Sequence, residues 1–420
     1  MLLAYRILTF LLYPFFIIII YLRKFYNKED KLRYKEKIFI SELSSNNFKK
    51  KCIWIHGASI GEIKSIFPIV DKLNNNKFNF LITTTTLSAG NLVIKKYKNN
   101  SNIQHQYFPL DVKFLIKKFL DVWNPKLVIF VDSEIWPNLI LELKKRKIKL
   151  ALINGRITKK TFGRWFFFSN SAKKIFNSFD LCLASSRDSK KYLKKLNAKN
   201  LKYIGNLKFS GSINLNKIQN RNKNILNTTK NWCAVSTHSS EEIFCLKTHM
   251  LVKKKYEQLI TIIIPRHINR ANKIKRICDR FHLSSQILNG EQKILKNKEI
   301  IIINSFGMVP KFLKYSKSVL MGKSISEKFK DSGGQNPIEA AKLGCKVYHG
   351  SNINNFKEIY KLLNDYKISE IIKNETELSK KIISDLNNSK IYKNKKIKTI
   401  NNLGNTILRK SLNEINRLSI

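Results

Sequence analysis

Acidic residues are scarce in this chain: 29 Asp and Glu stand against 79 Lys and Arg, a formal net charge of +50 over 420 residues. An excess of that size fits nucleic acid, an anionic membrane or substrate, or a general bias toward Lys, Asn and Ile. Lys runs are spread from one end to the other, and no basic stripe alternates with stacking aromatics as a single-strand binder needs. Compositional bias therefore explains much of the charge, anionic lipid comes next, and no nucleic-acid partner is expected. Cysteine is also sparse. The six residues form no Cys-x-x-Cys pair and have no companion His pattern, so neither a disulfide framework nor a zinc site is indicated. Cys52 and Cys182 fall inside apolar runs and read as small core residues of a protein in a reducing compartment. The Gly-x-Gly-x-x-Gly dinucleotide fingerprint is missing as well.

One long apolar run is present, from Ile7 to Leu22, with Arg6 before it and Arg23 and Lys24 after. It sits at the short limit for a membrane-spanning helix. Bulky Phe25-Tyr26-Asn27 follows in place of a small-residue cleavage site, which argues against a removed signal peptide. Residues 1–24 are expected to be an anchor helix, spanning or lying in the interface, with the heavier positive charge keeping the body cytoplasmic; the alternative is a buried N-terminal helix of a soluble domain.

From Lys51 onward short apolar runs alternate with amphipathic stretches of helical length. The runs 52–56, 78–83, 127–131, 148–153 and 181–184 predict strands, and 62–73, 112–122 and 186–196 predict helices. Continuously hydrophobic strands separated by helices indicate a parallel sheet covered on both faces. Residues 211–230, rich in Asn, Ser and Lys, read as a linker. A second series follows, with strands expected at 232–236, 259–264, 300–303, 318–321 and 346–348. The expected organisation is an α/β chain of two doubly wound Rossmann-like domains, 25–210 and 231–420, with ligands at the carboxyl ends of the strands.

Those strand ends carry the candidate chemistry. The first strand runs into His56-Gly57-Ala58-Ser59-Ile60-Gly61-Glu62, where a carboxylate at a helix start can act as a general base or simply support the first turn. Thr83-Thr84-Thr85-Thr86 follows the second strand and suits ligand contact or turn chemistry alike. Asp132-Ser133-Glu134 invites a metal reading, but hard cations want more oxygen ligands than this segment supplies, so no metal is expected. In the second half, Ser236-Thr237-His238, Pro265-Arg266-His267, Phe306-Gly307-Met308 and Gly333-Gly334-Gln335-Asn336-Pro337-Ile338-Glu339 are polar loops at strand ends. Arg266 offers a donor fork for phosphate, the glycine pair is expected to open a helix, and Glu339 suits ribose hydroxyls. Together they favour a nucleotide.

In order along the chain, 54–62, 83–86, 132–138, Asn154-Gly155-Arg156, Gly205-Asn206-Leu207-Lys208-Phe209, 236–238, 265–267, 333–339 and 354–359 resemble the 3-deoxy-D-manno-octulosonic acid (Kdo) transferases of lipopolysaccharide synthesis. The resemblance implies a GT-B fold, an acceptor-binding first domain and a CMP-binding second one. It implies transfer of Kdo from CMP-Kdo to a lipid A precursor (lipid IVA), inverting and without metal or other cofactor. The setting implied is the cytoplasmic side of the inner membrane. Carried over by motif, Glu62 looks like the general base, and Asp132 and Lys208 like the residues that steady the transition state. Pro265, Arg266, Phe306, Gly307, Met308, Asn336, Pro337, Ile338 and Glu339 look like the CMP site.

Three departures from the family pattern stand out: Asp132 where Glu is usual, Gln335 where His is usual, and Met308 after Gly307 where Glu is usual. Met308 leaves open whether that contact runs through side chain or backbone. The rival readings are a GT-B transferase using another nucleotide sugar and a membrane-associated homologue that has lost catalysis.

Overall fold

The computed structural model describes residues 1–39, 48, 50–74, 77–211, 213–387 and 390–418. They form two compact units, Met1–Gly211 with Leu403–Ile420, and Ser212–Asn402.

The first unit holds β1 (Cys52–His56), β2 (Asn79–Thr84), β3 (Ile103–Tyr107), β4 (Leu127–Val131), β5 (Lys149–Gly155), β6 (Leu181–Ala184) and β7 (Leu201–Tyr203). They form one seven-stranded parallel sheet in the order β3-β2-β1-β4-β5-β6-β7. Every residue of β1, β2 and β4 is buried, which is why these strands are apolar without alternation. Ile53 of β1 stands opposite Phe80 on one side and Leu127 on the other. The strand order reverses beside β1 and β4, so a crevice opens at their carboxyl ends.

In the second unit β8 (Lys230–Thr237), β9 (Leu259–Pro265), β10 (Ser285–Leu288), β11 (Ile300–Ile303), β12 (Ser318–Met321), β13 (Lys346–His349) and β14 (Ser369–Ile371) follow. Their order is β10-β11-β9-β8-β12-β13-β14, again all parallel, with β10 added outside the plan of the first sheet. The four isoleucines of β11 show the pleat: Ile301 and Ile303 enter the core on one face, Ile300 and Ile302 the core on the other. The two units together have the GT-B architecture expected of the chain.

The N-terminal run forms two helices, Leu2–Leu11 and Tyr13–Phe25, bent by 55° at Leu12, two residues before Pro14, where one continuous helix was expected. Among the described residues no single helix is long and apolar enough to cross a membrane, though this bent pair is by length and composition. The pair is tied to the first unit. The Tyr5 hydroxyl donates to Asp111 (3.0 Å), the Asn138 side-chain amide donates to Thr9 (3.1 Å), and Ile20 is buried against Tyr34 and Ile38. Asp111 accepts the N–H groups of Asn138 and Leu139 at the start of the helix Pro137–Lys145. Burial pushes its carboxyl up to about 6, against the pull of those three hydrogen bonds.

The expected boundaries shift in two places. Residue 212 of the expected linker lies outside the described residues; the rest of 213–230 is packed on the second unit. Ile213, Leu215, Ile218 and Ile225 lie against its core, and Asn222 donates to the Gln292 carbonyl. Stretches rich in Asn and Lys look like a linker because polar side chains here bond to backbone instead of to one another. The last residues, expected in the second domain, belong to the first unit. The helix Lys390–Asn416 brings Gly404 against the Phe209 carbonyl, Ile407 against Gly205, and Glu414 to Lys202 (2.5 Å).

Candidate active site

In the first unit the crevice at the ends of β1 and β4 gathers three carboxylates. Glu62 comes from the helix Ile60–Leu73, which Ser59 caps. Its carboxylate turns back on the loop, accepting from the Ala58 N–H (2.7 Å) and the Ser59 hydroxyl (2.9 Å), a variant of the capping box. Burial raises its proton affinity above the usual carboxylate range, and the charges of Glu134 and Asp132 add to the rise while the Ser59 and Ala58 bonds oppose it. The geometry makes Glu62 a support of the helix start, and its burial makes it a carboxylate biased toward taking a proton.

Asp132 is held in left-handed backbone (φ +63°), its N–H bonded to Ile153 and its carbonyl to Arg156 N–H. Its Oδ2 accepts from Lys208 Nζ at 2.8 Å, while its buried Oδ1 has no hydrogen-bond partner among the described residues. Lys208 sits on a 3-10 turn, Leu207–Phe209, fixed by Asn206 Oδ1 to Lys208 N–H (3.0 Å) and Asn154 Oδ1 to Leu207 N–H (2.9 Å). The motif Asn154-Gly155-Arg156 therefore works by positioning the Lys208 turn. Glu62, Asp132 and Lys208, far apart in sequence, are brought to one crevice.

The threonine cluster is mostly architectural. Thr83 is buried and binds Trp54 Nε1 (2.8 Å) and His56 Nδ1 (2.9 Å), Thr84 meets His105 (2.9 Å), and Thr86 caps onto the Ala58 carbonyl (3.1 Å). Two residues were missed as a pair. His56 and Glu134 meet at 3.2 Å, and Trp136 Nε1 donates to the same Glu134 oxygen at 3.0 Å. The available signal was a lone His closing an otherwise apolar strand. Among the described residues no group of three or more His, Cys, Asp or Glu is arranged to hold a metal ion.

The second unit presents a positive pole at its own carboxyl edge. Buried Glu241 accepts the N–H groups of His238 (2.9 Å), Lys323 (2.7 Å), Ser324 (2.9 Å) and Ile325 (3.1 Å), locking the loops after β8 and β12 together. The His238 ring lies edge-on to Phe329 and His267, with Nε2 buried and unpartnered among the described residues. Burial pushes His238 down to about 4, and the charges of His267, Lys323, Arg266 and Arg270 push the same way. Such a cluster favours an anion. Pro265 closes β9, and exposed Arg266 follows, its N–H bonded to the Thr237 carbonyl. Lys323 was not anticipated, although a strand ending in Gly322-Lys323-Ser324 is a signal of the same kind as the others.

Two details of the loops expected to bind nucleotide differ from expectation. The glycine pair does not open a helix: Gly334 N–H donates to the Lys323 carbonyl (2.6 Å), and the helix starts at Ile338, capped from Pro337 with Asn336 Oδ1 accepting the Ile338 N–H. Gly333 is there for close approach, since a Cβ would lie 2.4 Å from the Asn352 carbonyl oxygen. Glu339 lies in the first turn of that helix, beside buried Lys342, whose ammonium burial pushes down to about 8. Met308 is turned into the core, 6% exposed, so Phe306-Gly307-Met308 offers a ligand its backbone and the exposed Phe306 ring.

Two doubly wound parallel sheets, each with polar loops at its carboxyl edge, make a GT-B fold, and the transferases that the chain resembles in sequence make it an enzyme. A glycosyltransferase from Rickettsia africae is similar in fold, with a TM-score of 0.56 and 16% identity, covering 87% of this chain and 98% of that one. Residues 32–211 match the family described as 3-Deoxy-D-manno-octulosonic-acid transferase (kdotransferase). The 3-deoxy-D-manno-octulosonic acid transferase of Rickettsia bellii is 29% identical over 398 residues, covering 93% of this chain and 92% of its own. That of Haemophilus influenzae is 26% identical over 371 residues, covering 87% and 85%. A Kdo transferase domain is thus matched over residues 32–211, and the chain is similar to Kdo transferases along most of its length.

Proposed function

We propose that this enzyme transfers Kdo from CMP-Kdo to a lipid A precursor, lipid IVA, with inversion and without a divalent metal. The observation that carries this reading is the Glu62 carboxylate, biased toward the proton, in the same crevice as the Lys208–Asp132 pair. In the proposed step an acceptor hydroxyl attacks the anomeric carbon of Kdo as the bond from that carbon to the phosphate oxygen breaks. Glu62 takes the hydroxyl proton, and CMP leaves with the bonding electron pair. Lys208, oriented by Asp132, steadies negative charge as it develops, which fixed cations do in a water-poor site as a metal would. In the second unit Arg266 and the pole around His238 hold the anionic donor, with the backbone of 306–308 and Asn336 to Glu339 about the nucleotide.

The expected membrane setting gains support from the first unit. Leu3, Phe15 and Phe25 of the N-terminal helices are exposed, as are Phe166, Phe167 and Phe168 beside the cations Lys159, Lys160, Arg164, Lys173 and Lys174. Apolar side chains ringed by Lys and Arg suit an anionic bilayer surface, here the cytoplasmic face of the inner membrane. The test is a transfer assay with CMP-Kdo and lipid IVA, products weighed by mass spectrometry, with and without EDTA. Kdo addition that survives EDTA is expected. No product with CMP-Kdo but product with another nucleotide sugar overturns the donor, and loss in EDTA restored by magnesium overturns the metal-free mechanism.

A further inference from the structure

Glu134 is a carboxylate at the same edge that the proposed step leaves without a task. It is held with unusual care. His56 Nε2 (3.2 Å) and Trp136 Nε1 (3.0 Å) both meet its Oε2, while Oε1 takes no hydrogen bond from the described residues. The His56 ring is itself fixed, bonded through Nδ1 to Thr83 and stacked on Phe108 with 4.0 Å between ring centroids. Trp136 packs against the same phenylalanine, with 5.1 Å between ring centroids. The result is a side chain only 16% exposed, clamped by His56 and Trp136 at the sheet edge where two other acids lie.

Stability alone does not favour such an arrangement, because like charges gathered away from water repel. Of the three carboxylates, Asp132 is compensated by Lys208. The charges that bear on Glu62 are those of Glu134 and Asp132 from the loop after β4, against its own Ser59 and Ala58 bonds; Lys208 of the 207–209 turn pairs with Asp132, and His56 at the end of β1 with Glu134. Glu134 is bonded to His56 and Glu62 to Ala58, two residues further along the same loop, and the charge of Glu134 adds to the rise in the proton affinity of Glu62, ahead of that of Asp132. We propose that Glu134, clamped by His56 and Trp136, is a positioning residue that sustains the basicity of Glu62 during proton transfer from the acceptor hydroxyl. The proposal rests on Glu62 being the general base. The sign follows directly: a fixed negative charge disfavours a second one beside it, so Glu62 binds a proton more readily with Glu134 ionised than without.

The test is the pH dependence of kcat with CMP-Kdo and lipid IVA for the wild type, Glu134→Gln, Glu134→Asp and Trp136→Phe, with Glu62→Gln as the control. Glu134→Gln keeps the shape and an acceptor for Trp136 but removes the charge. Its acidic limb is expected to move down by about one pH unit, with plateau kcat lower by a few-fold because the base is weaker. Glu134→Asp keeps the limb near its wild-type place, and the KM for CMP-Kdo stays unchanged throughout. Trp136→Phe loosens one side of the clamp and keeps the ring, so a smaller downward movement is expected there; this variant carries the test if Glu134→Gln does not fold. An unmoved limb in both overturns the proposal. Glu62→Gln with normal turnover overturns the base assignment beneath it, whereas an inactive Glu62→Gln beside unmoved limbs overturns the role of Glu134 alone.

Discussion

Gly404→Ala tests whether the C-terminal helix controls the chemistry from behind. Gly404 lies inside the helix Lys390–Asn416, and a Cβ built there would stand 2.1 Å from the Phe209 carbonyl oxygen and 2.9 Å from its carbon. An ordinary carbon–oxygen contact is roughly 3.3 Å, so backbone must separate by about 1 Å, and no rotamer can relieve it. Forcing atoms into a filled space costs about 1–3 kcal/mol, while replacing Gly by Ala inside a helix returns about 1 kcal/mol. The net loss of stability is therefore about 0–2 kcal/mol, small enough for the variant to fold. The displaced residue is the one after Lys208, whose Nζ is 2.8 Å from Asp132. A misplacement of about 1 Å in a catalytic constellation is worth up to about 10²-fold in rate. Gly404→Ala should accordingly lower kcat by ten- to a hundred-fold, on the order expected for such a shift, with CMP affinity unchanged. Steady-state transfer kinetics, calorimetric CMP binding and a urea melt check this. A variant with wild-type kcat and an unmoved urea midpoint would show that the Lys208 turn does not depend on the helix.

Other perturbations reach other parts. Asp111→Asn turns an acceptor into a donor facing a backbone N–H of Asn138 or Leu139; a loss of about 1–3 kcal/mol in urea unfolding is expected, and an unchanged midpoint would refute it. Arg266→Ala should weaken CMP binding by roughly ten- to a hundred-fold and leave acceptor KM alone, since a hydrogen bond to a charged group is worth about 1.5–3 kcal/mol; calorimetry decides. His238, pushed down to about 4 in the folded state, binds fewer protons than in the unfolded chain between the ordinary histidine value and pH 4. Acidification through that window therefore favours unfolding, and His238→Gln should flatten the fall of the melting temperature between pH 7 and 4.5; an unaltered slope would show that His238 does not titrate there.

Sheet interiors were readable in the sequence and sheet edges were not. The strands at 127–131, 181–184, 300–303 and 318–321 are as expected, because burial on both faces leaves only apolar residues. Those overlooked, β3, β7, β10 and β14, are the outermost strands of the two sheets, where Gln104, Lys202, Gln286 and Glu370 meet solvent on one side and blur the pattern. The site shows a similar division. Glu62, Asp132 and Lys208 were named through family motifs at strand ends, and the structure brings them to one edge of the first sheet. The His56–Glu134 contact spans 78 residues and has no local signature. Gly333-Gly334 was misread for another reason: a glycine pair before a helix looks the same whether it frees N–H groups or lets two loops touch.

The return of residues 403–420 to the first unit bears on how the chain matures on the ribosome. Its first 211 residues emerge early and contain Glu62, Asp132 and Lys208, yet the face of the Lys208 turn at Gly205 and Phe209 stays uncovered until Ile407 and Gly404 have been synthesised. The whole second unit is made in between. A nascent chain can thus gather the side chains proposed to be catalytic long before it can hold them still, and an expressed 1–211 fragment should share that immaturity. Order of synthesis should delay the firm seating of Lys208 until Gly404 and Ile407 have left the exit tunnel.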